Sequence, residues 1–230
     1  MSVIVPAYNE ADIIEDNILM LKAALEEMGV SFEIIIAEDG STDHSFSISV
    51  SLSELFRDVR VIHSNERLGK GEAIKHAWRV SLGRFVVFMD MDMPVDLSAM
   101  RLLIDYLRLG SPLVIGSRYL GDSNLKRPFF KTLKSKMYNF LMRSFFGYEI
   151  SDYQCGFKGM IKHDFDNILL SVKDSVYFFD TELIIKAIRA GLSVNEIPVS
   201  WREPEGRVSK VTLKDEIVMI LRLFGFLVSN

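Results

Sequence analysis

The sequence predicts a doubly wound, mostly parallel α/β sheet flanked by helices and built as a single domain. Three observations carry this. Short apolar, β-branched runs alternate with segments of helical period through the first half of the chain, the pattern of parallel strands joined by crossover helices. Those runs are apolar nearly throughout, as strands covered on both faces must be. Several then stop in acidic residues, and open α/β sheets hold their ligands beyond the carboxyl ends of their strands.

The elements follow in order. SVIVPAY opens as a strand, and Ile14, Ile18, Leu21, Leu25 and Met28 then recur at helical spacing on one face. Asn9 is the expected cap of that helix, with Glu10 and Asp12 suited to its first turn. FEIIIAED is the second strand, a serine-rich helix runs from His44 to Phe56, and VRVIHS is the third strand. Helix GEAIKHAWRVSL, strand RFVVFMD, helix LSAMRLLIDYLRL and strand PLVIGSRYL complete the regular part.

Past Tyr119 the regularity breaks. Ser123 to Tyr148 holds no acidic residue but carries Lys126, Arg127, Lys131, Lys134, Lys136 and Arg143 among phenylalanines. Leu133, Met137, Phe140 and Leu141 have helical spacing, so this is a basic amphipathic helix. It either packs that stripe on the sheet or lies at an anionic lipid surface. TELIIKAIRA then reads as a helix and VNEIPVSW as an alternating strand. Residues 1–211 form the expected domain, and 212–230 a C-terminal amphipathic helix suited to a membrane interface.

Composition narrows the function. A net charge of −4 and a pI near 5.6 argue against a general nucleic-acid binder. Cys155 alone allows no internal disulfide, which suits a reducing compartment. His44, His63, His76 and His163 are scattered without zinc-like spacing, so any metal is expected to be a hard ion on carboxylates, Mg2+ or Mn2+. The chain opens directly on an apolar strand, with no leader pattern. Its most apolar run, IVMILRLFGFLV at residues 217–228, is too short to span a bilayer and contains Arg222. A mean hydropathy of +0.18 keeps attachment to a membrane surface in view.

The stretch VFMDMDMPVD puts Asp90, Asp92 and Asp96 directly after a buried strand, where an unpaired carboxylate would be costly. The strand is therefore expected to end at Met89, leaving the aspartates at the sheet edge. Tyr8 and Glu10 after the first strand, and Glu38 and Asp39 after the second, would converge on the same edge. Asp43 and Asp96 are expected at helix entries instead. Cys155 is expected in the core, Trp201 in the core or stacked on a ligand, and Asp180 and Glu182 either cap a helix or bind sugar.

VIVPAYNE, EDGSTD, NERLGKGEAI and DMD resemble, in order and spacing, the successive motifs of family 2 glycosyltransferases of the GT-A fold. SDYQCGFKGM, FFDTELIIKA and NEIPVSWREPEGRVSK are similar to the polyprenyl- or dolichyl-phosphate hexose synthases, and QCGFK and FDTEL to the dolichyl-phosphate glucose synthases within them. The resemblance implies an inverting enzyme at the cytoplasmic face of a membrane, peripherally attached. It would move glucose from UDP-glucose to a polyprenyl phosphate; GDP-mannose is the alternative donor. Pro6, Ala7, Tyr8, Glu10, Asp39 and Lys70 would bind the nucleotide, with Asp90 on the ribose or helping Asp92 hold Mg2+ or Mn2+. Arg118, Lys131, Ser135, Asn139, Arg202 and Lys210 would hold the lipid phosphate, and Asp152 would lie near the sugar. Lys131 stands where mannose-type relatives often have arginine, and Pro94 where many have a metal-binding glutamine.

Other classes fit less well. Aspartate-nucleophile phosphatases place Asp-x-Asp on their first strand, whereas here it follows the fourth. A nucleotidyltransferase would want a glycine-rich loop where this chain has PAYNE. A non-catalytic nucleotide-sugar or lipid-surface binding module is the remaining alternative; loss of Asp92 or of the basic cluster would favour it, and both are present.

Overall fold

The computed structural model describes residues 1–176, 178–202 and 222. Lys210 and nearly all of the expected C-terminal helix lie outside them. A seven-stranded sheet holds β1 (Ser2–Ala7), β2 (Glu33–Asp39), β3 (Val59–Ser64), β4 (Phe85–Met89), β5 (Leu113–Ser117), β7 (Phe157–Ile161) and β8 (Val194–Pro198), in the order β3-β2-β1-β4-β7-β5-β8. β7 runs antiparallel to both β4 and β5; the other pairings are parallel. Two short strands, β6 (Asn124–Lys126) and β9 (Ser200–Arg202), form a separate parallel pair. β4 ends at Met89 as expected.

Alternation along each strand feeds a core on either side. Val3, Val5, Ile34 and Ile36 face the layer of α1 (Ile14–Glu27), α2 (Ser45–Leu55) and α4 (Ala99–Arg108). Ile4, Ile35, Val86 and Phe88 face that of α3 (Lys70–Val80), α6 (Lys162–Ser171) and α7 (Phe179–Arg189). Ile14, Ile18, Leu21 and Leu25 of α1 are fully buried, as their spacing predicts.

One local expectation fails. Asn9 does not cap α1, which begins at Ile14 with no side-chain cap. Asn9 instead adopts a left-handed φ of 52°, and its side-chain oxygen accepts from Thr42 N–H at 2.8 Å. Asn tolerates that conformation, and its amide here ties two strand-end loops together.

For α5 (Phe129–Phe146) two readings of the apolar stripe were open, and the sheet-packing one does not hold. Leu133, Met137 and Phe140 are 51%, 59% and 61% exposed, and only Leu141 packs inward. The helix turns Ser135, Tyr138, Asn139 and Met142 inward instead. An apolar stripe locates a helix's greasy face, but not what that face meets.

Candidate active site

Because β1, β2 and β4 are parallel neighbours, their carboxyl ends meet at one edge. Asp90 N–H donates to the Gly156 carbonyl at 3.1 Å, and the Asp90 carbonyl accepts from Met93 N–H at 3.0 Å. The turn carrying Asp92 is thereby closed, with Met93 at a left-handed φ of 41°. Strained non-glycine backbone of this kind gathers at functional sites. Asp90 Oδ1 lies 2.7 Å from Lys70 Nζ, and Asp92 is half-buried two residues on.

Asp39 accepts from Leu68 N–H at 2.7 Å and Gly69 N–H at 2.8 Å. Burial outweighs those bonds and pushes its carboxyl above the ordinary aspartate value. The Tyr8 ring lies 3.9 Å beneath the Arg67 guanidinium. Glu10 N–H donates to Ser45 Oγ, and buried Ala7 and half-buried Pro6 form the last turns of β1. Glu38, which faces this edge in the sequence, is spent on Ser41 N–H and His63 Nδ1.

Asp90 and Asp92 offer hard oxygen donors suited to Mg2+ or Mn2+. No group of three His, Cys, Asp or Glu side chains is gathered around a common point among the described residues.

A second constellation surrounds Arg118, just past β5. Asp152, fully buried, takes Arg118 Nε at 2.6 Å and Nη2 at 2.8 Å, and also its backbone N–H. Nη2 further donates to Ser135 Oγ on α5 at 3.3 Å. The fork is thus fixed on one side, with the Nη1 hydrogens unspent among the described residues. Near it lie buried polar atoms with no hydrogen-bond partner among the described residues: Asn139 Nδ2, Tyr119 hydroxyl and Trp201 Nε1. The guanidinium sits 4.8 Å from the Trp201 ring and 5.5 Å from that of Tyr119, and Lys136 Nζ lies 5.7 Å over Tyr119. Buried groups left unsatisfied are costly, and a bound water, ion or ligand is what ordinarily meets them.

The two constellations are joined by backbone. Arg202 N–H donates to the Pro94 carbonyl, Asp96 N–H to that of Ser200, and Val95 pairs with Trp201. On the other side, Asp152 and Gly156 are the ends of one five-residue segment.

The family model for glycosyl transferase family 2 matches residues 2–169. The chain belongs to that family. This family 2 chain is 36% identical over 95% of its length to glycosyltransferase AglD of Haloferax volcanii, and spans 35% of that protein. It is 31% identical over 93% of its length to a dolichyl-phosphate beta-glucosyltransferase of Saccharomyces cerevisiae, of which it spans 69%. Its fold matches that of glucosyl-3-phosphoglycerate synthase from Mycobacterium tuberculosis, a structure in complex with Mn2+, UDP and phosphoglyceric acid. The TM-score is 0.72 at 21% identity, covering 99% of this chain and 77% of the other. At that identity the likeness establishes the fold alone, and it is the GT-A fold expected.

Within the family 2 chain the expected nucleotide residues Pro6, Ala7, Tyr8, Glu10, Asp39, Lys70 and Asp90 fall at the edge formed by β1, β2, α3 and β4. Arg118, Ser135 and Asn139 fall together in the second constellation. Lys131 lies half-buried one turn up α5, and Arg202 exposed at the end of β9. Cys155 is buried, as expected, and burial pushes its thiol up to about 12. Asp43 and Asp96 accept N–H groups at helix entries, from Ser45 and Ser98.

Trp201 is half-buried and packs against the core as expected, with its ring also on the Arg118 guanidinium. Asp180 and Glu182 cap nothing at the start of α7. Asp180 pairs with lysines, and Glu182 accepts from Lys173 and Asp174 N–H. Tyr119 was missed as a site residue; the aromatic in GSRY was the available signal.

Proposed function

We propose that this chain transfers a hexose, glucose from UDP-glucose in the first instance, to a polyprenyl or dolichyl phosphate. The observation that carries the acceptor half is the Arg118 fork, held by Asp152 and near buried donors without partners among the described residues. Three such donors beside a fixed guanidinium suit an anion with several oxygens, which a phosphate monoester supplies. The dolichyl-phosphate enzyme among the relatives supports the lipid.

An acceptor phosphate is already an anionic nucleophile near neutral pH, so no strong base is needed. Arg118 would hold it in line with the sugar's anomeric carbon. One phosphate oxygen bonds that carbon as the bond to the nucleoside diphosphate breaks, inverting the centre. The electron pair leaves with the diphosphate, where Lys70 can meet the growing charge. Mg2+ or Mn2+ on Asp92 and Asp90 would supply Lewis-acid stabilisation of the leaving diphosphate. Asp152, with both oxygens on Arg118, acts here by fixing the fork.

α5 gives this reading its setting. Its outward Phe129, Phe130, Leu133, Met137 and Phe140 stand among lysines on a segment without acidic residues. That combination suits an anionic bilayer surface, reached from the cytoplasmic side as a peripheral contact. The same helix carries Ser135 and Asn139 inward, so lipid tail and phosphate would meet opposite faces of one element. No helix among the described residues is long and apolar enough to cross a membrane.

The test is incorporation of radiolabelled sugar into an organic-extractable lipid. UDP-glucose and GDP-mannose are offered in parallel with polyprenyl phosphate, with and without chelator, with Asp92→Ala as control. Chelator-sensitive transfer from UDP-glucose, lost in Asp92→Ala, is expected. Transfer from GDP-mannose alone would reassign the donor. Nucleotide binding without transfer from either would move the chain to another acceptor or a non-catalytic role.

A further inference from the structure

Two buried ionisable side chains have no part in the chemistry above: Lys158 and Asp180. Lys158 stands in β7 opposite Phe88, with no exposed surface. Its ammonium donates to the Cys155 carbonyl and, at 2.6 Å, to Asp180 Oδ1. Asp180, in the first turn of α7, presents Oδ2 to Lys70 Nζ at 3.5 Å. Lys70, the first residue of α3, reaches Asp90 Oδ1 at 2.7 Å. Four side chains from β7, α7, α3 and the end of β4 thus alternate in sign.

A buried lysine is expensive, and an apolar pair of similar volume would serve packing at least as well. A pair kept only for structure could close on itself inside the core. This one continues outward, from a fully buried ammonium to the partly exposed carboxylate of the Asp-x-Asp motif. Burial opposes the charge on Lys70, yet Asp180 and Asp90 outweigh it and hold the ammonium above the ordinary lysine range. Burial likewise opposes the Asp180 charge, and Lys158 and Lys70 overcome it to hold the carboxyl below its usual range. The outer end is shaped by a missing side chain as well. A Cβ at Gly156 would lie 1.9 Å from Asp90 Oδ2, so the Asp90 carboxylate fills the space a larger residue would need.

We propose that Asp180, anchored by Lys158, is a positioning residue that holds the Lys70 ammonium where the donor's diphosphate arrives beside Asp90. This rests on the function proposed above. Without Asp180, Lys70 is a flexible four-carbon stem with one partner, and the entropy of ordering it falls on the donor. With Asp180 it is ordered beforehand, and diphosphate oxygens need only share it with Asp90.

The probes are UDP and GDP, each with Mn2+, titrated calorimetrically against the full chain, alongside steady-state kinetics. Asp180→Asn should weaken binding of the favoured nucleotide about 10-fold or more and raise the donor KM, leaving the lipid KM unchanged. Because that variant strands Lys158, it is paired with Lys158→Met/Asp180→Asn, which removes both buried charges and should restore the Tm. Nucleotide affinity should stay weak in the double variant, which a purely structural role cannot explain. Asp180→Glu should recover part of it. Wild-type affinity in the double variant would overturn the proposal, since Asp180 would then only neutralise Lys158. If the wild-type chain itself binds neither UDP nor GDP, the functional reading fails and takes this inference with it.

Discussion

Helices α4 and α5 are both amphipathic, and they use their apolar faces in opposite ways. α4 turns Met100, Leu103, Ile104 and Leu107 into the core and leaves its charged side to water. α5 turns Ser135, Tyr138 and Asn139 inward, and sets Leu133, Met137 and Phe140 outside. The inner face of α4 meets hydrocarbon from β5 and β7, whereas that of α5 adds polar contacts to its packing: Ser135 accepts from the Arg118 guanidinium, Asn139 from Tyr153 N–H, and Tyr138 bonds Thr181. The hydrophobic effect orders a helix by whichever apolar partner is available. In α5, polar groups that need one another have claimed the inner face, and the apolar one is left for a partner from outside.

The strongest break in this comparison is Leu103→Ala. It removes a fully buried side chain, packed against Gly159, and should cost ~2–5 kcal/mol in chemical denaturation. A cost well under 1 kcal/mol would mean α4 does not hold the core as described. On the inner face of α5, Asn139→Leu should reduce lipid glycosylation roughly 100-fold, about 2.7 kcal/mol, and act mainly through the acceptor. A loss confined to the donor KM would move Asn139 out of the acceptor site.

Alkaline titration separates the same two faces more finely. The Tyr138 phenol is pushed up by burial, while Thr181 opposes that as its hydrogen-bond partner. An acid raised in the fold keeps a proton that the unfolded chain has lost, so its contribution is complete below about pH 10 and fades as pH rises beyond it. The fully buried residues of α4 include no titratable group, and its Tyr106 is half-buried at the margin of the core. Hydrogen exchange near pH 10.5 should therefore show α5 amides losing protection before those of α4; simultaneous loss would count against it. The smallest effect on stability is expected from Met137→Ser and Phe140→Ser, each within about 0.5 kcal/mol. The pair should nevertheless cut co-sedimentation with anionic vesicles, and unchanged sedimentation would remove the membrane from α5.

Local rules made much of this molecule legible. β4 stops at Met89 because buried strands do not tolerate free carboxylates, and that is visible in VFMDMD. The converging acidic ends follow from parallel pairing alone. Other features depended on partners distant in sequence. β7 lies in CGFKGM, whose glycines and lysine disguise a strand that buries Lys158 only because Asp180 waits on α7. The outward turn of α5 depended on Arg118 and Asp152, neither of which lies on that helix. Trp201 packs on the core as its type suggests, but that its ring also meets a guanidinium depended on Arg118, distant in sequence.

The antiparallel placement of β7 also sets a timetable for folding. β4 and β5 are not neighbours; each hydrogen-bonds one side of a strand that lies about 70 residues beyond β4. At translation speeds of about 5–20 residues per second, the Val86–Met89 edge would emerge from the ribosome roughly 4–14 s before its partner does. For that interval an apolar strand offers an open row of amide and carbonyl groups, the arrangement most prone to pairing with another chain. The protein's exposure to aggregation is therefore concentrated in synthesis and refolding, and is set by where in the chain β7 is encoded.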